Sequence, residues 1–410
     1  MDLSYVIVSH NRRDTLLGTL ARLPGVTPLP GDRYEIHVVD NGSTDGTAAA
    51  VAARFPEVRL HRRAENEGVW ARSLAFAHCR GRHVILLDDD SYPADADTVA
   101  RSIAHLDATP AVAAVGGRCL LPNGTGEACA LPGVMLSGAV CLRRAAQDRV
   151  GGFRREFFRK AGEYDLSFRL WRAGWRVERY DDLTYRHDKH TGGRSAALAF
   201  RMDLRNNLIL VERFFPPAVR RAYRKDFLLR YAAFARRGGH GGALSQAIAE
   251  ARAWARRERE SGRQTLGPDV LETVLQWGAQ KRAVAEWAQR HGVRRVVLAD
   301  LGKNLYATWR AARRAGLRVT AIAENHPALA GGMYRGVAVR RDAEALGNRA
   351  DGVILANVNP AQAGPRLEQL RRRWAGPVLS FWEPKRLGDV SPRAAAAYRS
   401  PAAGGRVEAA

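Results

Sequence analysis

HVILLDDD, residues 83–90, is the most informative segment of this 410-residue chain. An apolar run of this length that ends in three carboxylates is typical of a buried strand that carries acidic side chains to the rim of a sheet. In open α/β sheets, ligands bind outside the carboxyl ends of the strands, and carboxylates there can hold a hard divalent cation. The triplet could equally be a solvated turn, with one residue capping a helix that begins near Asp95.

Three further strand patterns precede this segment, and each is followed by a polar turn and a helical pattern. The strands are predicted at residues 3–9, 35–40 and 58–62, and the helices at residues 16–23, 47–55 and 69–79. Strands that alternate with helices predict an α/β fold in which helices flank a mostly parallel sheet.

Polar side chains collect where each predicted strand ends. They are Ser9, His10 and Asn11 after the first strand, Asp40 and Asn41 after the second, Asn66 after the third, and Asp88–Asp90 after the fourth. The carboxyl ends of parallel strands meet at one edge of the sheet, which is where a nucleotide would lie. Any one of these loops could be ordinary helix-cap chemistry. Four such loops in register favour a binding site.

The ordered motifs of the first half resemble those of family 2 glycosyltransferases with the GT-A fold. They are IVSHNR at 7–12, VVDNGSTDGT at 38–47, NEGVWAR at 66–72 and LLDDD at 86–90. A second series resembles the acceptor-binding half of the family, and it comprises SGA at 137–139, VGGF at 150–153, GEYDLSFRL at 162–170 and AGWRV at 173–177. With a predicted closing helix at 201–215 that is similar to rhamnosyl- and galactosyl-type relatives, the likeness covers residues 3–216.

The resemblance implies a nucleotide-diphospho-sugar donor at the strand ends. The donor-binding positions that it implies are Ser9, His10, Asn11, Asp40, Asn41, Asn66, Arg72 and Asp88. It also implies that Asp90 binds Mn²⁺ or Mg²⁺, with Asp88 near the ribose or a metal-bound water, and that Asp89 is structural. A divalent cation would stabilise the charge on the departing diphosphate.

Two further positions follow from the resemblance, one for the metal and one for the base. His187 corresponds to a histidine that binds metal or diphosphate in many relatives, although a surface histidine in a turn is the simpler alternative, which we prefer for His190. Glu163 corresponds to the catalytic base, which takes the proton of the acceptor hydroxyl in an inverting transfer. Asp165 is the alternative base, or an acid that complements the helix dipole.

The chain departs from the family pattern at two positions. Arg154 follows the Gly-Gly-Phe motif where the family usually has an acidic residue, and Gly162-Glu163 stands where Glu-Asp or Glu-Glu is usual.

Four units are predicted along the chain. They are a catalytic domain at 1–217, a helical connector at 218–290, a smaller Rossmann-like accessory domain at 291–392 and a disordered tail at 393–410. The connector carries arginines on one helical face and Phe227, Leu228, Leu229, Tyr231 and Phe234 on the other. This pattern favours a packed connector, and a basic amphipathic helix on anionic lipid is the alternative.

The phosphate loop of the predicted Rossmann-like domain is poor. Only Gly302 of the dinucleotide fingerprint is present, and Lys303 is a partial substitute at best. The sequence therefore favours a degenerate nucleotide-binding fold that serves in packing or partner binding.

Composition adds weaker constraints. The formal net charge of +23 fits a phosphate-rich partner, but an arginine-heavy composition is the simpler explanation. The four cysteines have neither metal-ligand spacing nor disulfide-scaffold density, so we expect reduced structural thiols. Because no stretch approaches the roughly 20 apolar residues of a spanning helix and no signal peptide is evident, we expect a cytoplasmic protein, at most peripheral at the inner face of the membrane.

The expected function is therefore an inverting, metal-dependent hexosyltransferase that acts on a glycan or lipid-linked acceptor, as in the synthesis of cell-envelope polysaccharide. A non-catalytic nucleotide-sugar-binding scaffold is the alternative. A sugar-nucleotide nucleotidyltransferase would need a Gly- and Arg-rich loop after the first strand, which residues 9–12 do not supply. Nucleic-acid binding is disfavoured because the acidic cluster would repel a phosphate backbone.

Overall fold

A computed structural model describes residues 1–189, 195–261, 264–327, 329–347 and 349–389. His190 and the predicted tail at 393–410 lie outside these ranges. No helix among the described residues is both long and apolar enough to cross a membrane.

The first sheet contains nine strands within the described part of the chain. They are β1 (Leu3–Ser9), β2 (Tyr34–Asn41), β3 (Arg59–Arg63), β4 (His83–Asp88), β5 (Ser91–Pro93), β6 (Val112–Leu120), β7 (Gly126–Glu127), β8 (Val140–Arg143) and β9 (Arg176–His187). Their order is β3-β2-β1-β4-β8-β6-β9-β5, and β7 pairs with β6. The sheet is parallel over β1 to β4, while β8 runs antiparallel to β4 and β6.

Helices cover both faces of this sheet. They are α1 (Arg13–Val26), α2 (Thr47–Arg54), α3 (Arg72–Phe76), α4 (Ala96–Ala108), α5 (Arg144–Val150) and α6 (Gly162–Arg172). Along β1, Tyr5 and Ile7 share a buried cluster with α1 and α4, whereas Val6 shares one with α3 and α6. Burial on both faces explains why β1 and β4 are continuously apolar. The predicted α/β fold class is confirmed.

The acidic triplet is not the cap of the helix that follows it. Strand β4 ends at Asp88, so Asp89 and Asp90 occupy the turn between β4 and β5. Asp95 itself caps α4, since its Oδ1 accepts a hydrogen bond of 2.7 Å from the backbone N–H of Thr98. The triplet is therefore available for another role.

The helix predicted at 69–79 is shorter than expected. A 3₁₀ turn at Gly68–Ala71 precedes α3, which ends at Phe76. Gly68 has a φ of +63°, and a Cβ at this position would lie 2.0 Å from the carbonyl oxygen of Phe158. This close approach requires glycine and fixes a tight turn where the pattern predicted a continuous helix.

Five helices follow the first sheet before the second one begins, counted over the residues that the structure describes. They are α7 (Ala196–Phe214), α8 (Pro217–Gly238), α9 (Gly241–Ser261), α10 (Pro268–Leu275) and α11 (Trp277–His291). Phe227 and Tyr231 of α8 are buried in an apolar cluster that also includes residues of α6 and α7, as expected for a packed connector. Leu229, predicted on the same face, is instead 39% exposed, because α8 turns it away from this cluster. Membrane contact stays a prediction.

A second, smaller sheet completes the fold. Its elements are β10 (Arg295–Ala299), α12 (Leu305–Arg314), β11 (Arg318–Ala323), β12 (Met333–Tyr334), β13 (Val337–Arg340), α13 (Asp342–Leu346), β14 (Gly352–Leu355), α14 (Ala363–Arg373) and β15 (Val378–Ser380). The order is β12-β13-β11-β10-β14-β15, and all neighbours except β12 and β13 are parallel. The predicted domain boundaries stay predictions, and one apolar cluster continues across residue 217.

Side chains of the C-terminal unit itself fill the space at the strand ends of this second sheet. Asp300 accepts hydrogen bonds from Asn357, at 3.1 Å, and from Arg366, at 2.7 Å. Arg366 also donates to Asp342 at 2.6 Å. Lys303, predicted as a partial substitute in a phosphate loop, points instead toward the N-terminal half.

Asp226 of α8 joins the connector to the second sheet. Its Oδ2 accepts from Nε of Arg230 at 2.9 Å, its Oδ1 accepts from the hydroxyl of Tyr334 at 2.5 Å, and it is fully buried. Removing one partner of a buried ion pair leaves the other charge uncompensated, so Asp226→Ala should lower the free energy of unfolding by about 3 kcal/mol. Denaturant unfolding measures this change. The exposed Glu286→Ala is the control, and equal effects of the two substitutions would contradict the assigned role.

Candidate functional site

The register of the parallel strands brings the predicted polar loops to one edge of the sheet. Val8 of β1 lies opposite Asp88 of β4, and Ser9 lies opposite Asp40 of β2. Because β1 is the central strand of these three, the loops that follow them converge on one cleft.

Asp89 lies behind the surface of this cleft. It accepts hydrogen bonds from Oγ of Ser9, at 2.9 Å, and from Nη1 of Arg12, at 2.6 Å. Thr19 of α1 donates to its backbone carbonyl at 2.7 Å. Burial raises the pKa of Asp89 to about 7 even though Arg12 opposes the shift. These contacts tie the turn after β4 to β1 and α1, and they place the hydroxyl of Ser9 against Asp89, within the protein.

Asp90 is buried between two cations. Its Oδ2 accepts from Nη2 of Arg12 at 2.8 Å, and its Oδ1 is 3.0 Å from Nε2 of His187. Burial alone would raise the pKa of Asp90, but His187 and Arg12 lower it to about 2. Asp90 is therefore a carboxylate throughout the neutral range. Arg12 was not assigned a role from the sequence, although its position directly after the first strand was a usable signal.

Asp88 is the most exposed carboxylate of the triplet, because its side chain is 37% exposed against 6% for Asp89 and 1% for Asp90. Arg72, predicted to bind the donor, is buried beneath it and forms an ion pair with its Oδ1. The same guanidinium donates to Oγ of Ser137 at 3.2 Å. In this structure, Arg72 orients Asp88 from below.

His187 completes a group of three candidate metal ligands. It is the last residue of β9 and pairs with Ser91 of β5, which brings its ring to the end of β4. The ligand atoms of Asp88, Asp90 and His187 all lie within 4.8 Å of one another. Two carboxylate oxygens and one imidazole nitrogen form a donor set that Mn²⁺ accepts. His187 is buried, so the alternative of a surface histidine in a turn does not describe it.

Glu127 of β7 orients this histidine. Its Oε2 is 2.9 Å from Nδ1 of His187, and its Oε1 accepts from Nζ of Lys189 at 2.7 Å. Burial would lower the pKa of His187, but hydrogen bonds to Asp90, Cys119 and Glu127 raise it well above its usual value. A carboxylate behind a ligating histidine fixes the orientation of the ring. No local sequence pattern marks Glu127.

Cys119, Glu127 and His187 form a second group with ligand atoms within 4.8 Å of one another. Burial raises the pKa of the Cys119 thiol, which disfavours the thiolate that a metal would need. The group with Asp88 and Asp90 is therefore the better candidate for a cation.

The other residues predicted to bind the nucleotide-sugar donor form hydrogen bonds between the strand-end loops. Asn11, with a φ of +52°, accepts a 2.7 Å hydrogen bond from the backbone N–H of Thr44. Nδ1 of His10 lies 2.9 Å from the carbonyl oxygen of Asn41. The side chain of Asn41 donates to Oδ1 of Asn66 at 3.0 Å. The loops after β1, β2 and β3 thus form one connected rim.

The predicted residues of this rim differ in their access to solvent. Oδ1 of Asp40 accepts from the backbone N–H of Ser43 at 3.1 Å, and Asp40 and Asn41 are buried. Asn11 and Asn66 are exposed. The two buried residues shape the rim, while the exposed ones can meet a ligand.

Glu163 lies in the first turn of α6, after a strained stretch of backbone. Lys160 and Ala161 have φ values of +68° and +62°, which non-glycine residues seldom adopt. Asn206 of α7 holds this turn by donating to the carbonyls of Arg159 and Lys160, at 2.7 and 2.8 Å. Burial raises the pKa of Glu163. The geometry fixes a half-buried carboxylate with enhanced basicity at the start of a helix.

Asp165 is placed differently, inside the protein. It is fully buried and accepts from Arg169 and Arg213, each at 2.8 Å. Arg154, one of the departures from the family pattern, approaches it to 3.8 Å. A carboxylate enclosed by three guanidinium groups cannot reach an acceptor hydroxyl, so this environment disfavours Asp165 as the base.

Two solved structures illustrate the likeness. A mannosyltransferase, PcManGT from Pyrobaculum calidifontis in complex with GDP-Man and Mn²⁺, is 21% identical and aligns over 63% of this chain and 79% of its own, with a TM-score of 0.44. TarS 1–349 from S. aureus in complex with UDP-GlcNAc is 16% identical and aligns over 77% and 93%, with a TM-score of 0.48. Identities and scores this low carry no argument about function.

The family model gives the firmer comparison. No curated protein matches the chain. Residues 4–127 match the model described as Glycosyl transferase family 2, a span that includes β1, Asp88, Asp90 and Glu127. The N-terminal part of the chain, over residues 4–127, is therefore similar to glycosyl transferase family 2.

Proposed function

We propose that the protein is an inverting, metal-dependent glycosyltransferase that moves a hexosyl group from a nucleotide-diphospho-sugar to a hydroxyl of a glycan or lipid-linked acceptor. The observation that carries the proposal is the cluster of Asp88, Asp90 and His187, with ligand atoms within 4.8 Å of one another, at the strand ends of a sheet whose N-terminal part is similar to glycosyl transferase family 2. The cation would be Mn²⁺ or Mg²⁺, because carboxylate oxygens suit both.

The residues around this cluster prepare it for a cation and a diphosphate. When bound, the cation would act as a Lewis acid that stabilises negative charge on the departing nucleoside diphosphate. Arg12 holds Asp90 in its ionised form, and Arg72 orients Asp88 toward the cleft. Glu127 fixes the imidazole of His187. A bound cation would replace the proton on Nε2 of His187, which lies 3.0 Å from Asp90, while the contacts of Arg72 and Glu127 would persist.

The rim of the cleft is suited to the nucleoside part of the donor. His10, Asn11 and Asn66 offer polar groups close to the ends of β1 and β3. Asp40 and Asn41 support them from within. These groups can bind a base and a ribose while the diphosphate lies toward Asp88.

Glu163 is the proposed base on the acceptor side. It would take the proton of the acceptor hydroxyl while the oxygen attacks the anomeric carbon from the face opposite the diphosphate, which inverts the configuration. Its raised pKa makes it a stronger proton acceptor than an exposed carboxylate. Next to it, the thiol of Cys129 lies 3.9 Å from Oε1 and has a shorter contact, of 3.2 Å, with the carbonyl oxygen of Met135.

The metal assignment predicts that Mn²⁺ and a nucleoside diphosphate stabilise the protein together. Asp90→Asn should remove the Mn²⁺-dependent part of the rise in melting temperature and lower donor turnover by at least about a hundredfold. A thermal-shift screen of nucleoside diphosphates with Mn²⁺ and with Mg²⁺ measures the first effect. Asp97→Asn, on the exposed side of α4, is the matched control. An unchanged Mn²⁺ response in Asp90→Asn would rule out this metal site.

Glu127 should matter for metal affinity even though it is not a proposed ligand. Glu127→Gln should weaken Mn²⁺ binding by about 10- to 100-fold, because the imidazole of His187 loses its orienting carboxylate. Calorimetric titration with Mn²⁺ measures the change. The exposed Glu57→Gln provides the comparison, and an equal Mn²⁺ affinity in both variants would remove Glu127 from the site.

If Glu163 is the base, its substitution should impair sugar transfer but not binding of the donor. Glu163→Gln should retain the stabilisation by Mn²⁺ and nucleoside diphosphate while lowering kcat by about 10²- to 10⁴-fold. Asp165→Asn should mainly lower the melting temperature, because it disturbs a buried ion network. If a folded Asp165→Asn variant loses transfer and Glu163→Gln does not, Glu163 is not the base.

A further inference from the structure

The C-terminal α/β unit places a lysine between Tyr164 of α6 and Asp203 of α7. Lys303 lies in the turn after β10, and its Nζ is 3.6 Å from Oδ1 of Asp203 in α7. The same ammonium is 4.9 Å from the ring centroid of Tyr164, within the range of a cation–π contact. The electrostatic influence of this ammonium extends to Glu163, where it lowers the pKa of the carboxyl group, so a positive charge of the C-terminal unit acts on the proposed base.

Contacts between the two units hold this lysine in place. Nδ2 of Asn359 donates to the carbonyl oxygen of Ala128 at 3.2 Å. A Cβ at Gly126 would lie 3.0 Å from Cβ of Ala361, which shows how closely the two backbones approach. These contacts lie on either side of the glutamate that orients the metal-binding histidine. The second unit is thus docked on the segment between the two halves of the proposed site.

The charged and titratable groups around Glu163 come from several elements. They are Lys303 from the turn after β10, Lys160 from the loop before α6 and Asp203 from α7, together with the thiol of Cys129 and the hydroxyl of Tyr164. Burial raises the pKa of Glu163, whereas its own backbone N–H and the two lysines lower it, and Asp203 raises it. Lys303 favours the ionised form of Glu163 in two ways. Its ammonium attracts the carboxylate of Glu163 directly, and it also compensates the negative charge of Asp203, which would otherwise repel that carboxylate.

The internal bonding of the C-terminal unit explains why Lys303 is turned outward. Asp300, directly after β10, is engaged with Asn357 and Arg366. The strand-end crevice where a nucleotide fold would bind its ligand is therefore filled by the unit's own side chains. The loop that contains Gly302 and Lys303 therefore does not line a ligand crevice of the C-terminal unit. Instead, Lys303 contacts Tyr164 of α6 and Asp203 of α7.

We propose that Lys303 is a positioning residue for the reaction, so that the acceptor side of the site is complete only when the C-terminal unit supplies its ammonium between Tyr164 and Asp203. This inference rests on the proposed role of Glu163 as the base. It makes the C-terminal unit an integral part of the enzyme, where the sequence predicted an accessory domain.

The test uses the full chain with Lys303→Gln and Lys303→Arg, and the measured quantity is the pH profile of donor turnover with Mn²⁺ and a panel of UDP- and GDP-sugars. A base acts when deprotonated, so turnover rises with pH through the pKa of Glu163. In Lys303→Gln, which lacks the ammonium, the rise of turnover with pH (the acidic limb of the profile) should shift to higher pH by about one unit. In Lys303→Arg, which keeps the positive charge, the acidic limb should lie close to its wild-type position. Stabilisation by Mn²⁺ and nucleoside diphosphate should stay unchanged in both variants.

The controls separate this proposal from the proposed function. Lys281→Gln, an exposed lysine of α11, should leave the profile unchanged. If Glu163→Gln is inactive while Lys303→Gln keeps the wild-type acidic limb, the role of Lys303 is overturned and the base assignment stands. If Glu163→Gln keeps full turnover, both are overturned. If Lys303→Gln does not fold, the test rests on Lys303→Arg. A folded Lys303→Arg variant whose acidic limb differs from that of the wild type contradicts the proposal.

Discussion

The burial of Asp90 is the constraint on which the proposed metal site depends. A carboxylate removed from water is stable only if cations compensate for its lost hydration. Arg12, after the first strand, and His187, at the end of the ninth, supply that compensation. The pairing of β5 with β9 is needed for this arrangement, because it carries His187 from a distant part of the chain to the turn that holds Asp90. The same contacts position Asp90 and His187 next to each other, and a bound cation would take the place of the proton on Nε2 of His187.

Local patterns in the sequence are sufficient for much of this arrangement. Apolar runs that end in polar loops predict β1, β2 and β4 and the edge where they meet, because strand periodicity and burial are local properties. Asp88, Asp90 and His187 could be proposed together only through the family likeness, since composition and spacing do not connect residues so far apart. The structure brings these three side chains within reach of one ion.

The supporting residues could not be predicted in the same way. Glu127 lies on a two-residue strand whose pairing with β6 sets its position, and no periodic pattern marks such a strand. Arg72 belongs to a recognisable motif, yet only the packing of α3 against β4 shows that it lies below Asp88. Asp165 is a plausible first-turn acid by sequence. Its enclosure by arginines depends on α7, which is distant along the chain.

Buried arginines elsewhere in the protein follow the same principle. Arg72, Arg213 and Arg230 are buried, and each contacts a carboxylate that it stabilises inside the protein. Guanidinium groups suit this role because they donate several hydrogen bonds in a fixed plane and are less strongly hydrated than ammonium groups. A nucleic acid would instead require cations that are free at the surface. These pairs join α3 to β4 and α7 to α6, and because each guanidinium is balanced by a carboxylate they contribute nothing to the formal net charge of +23.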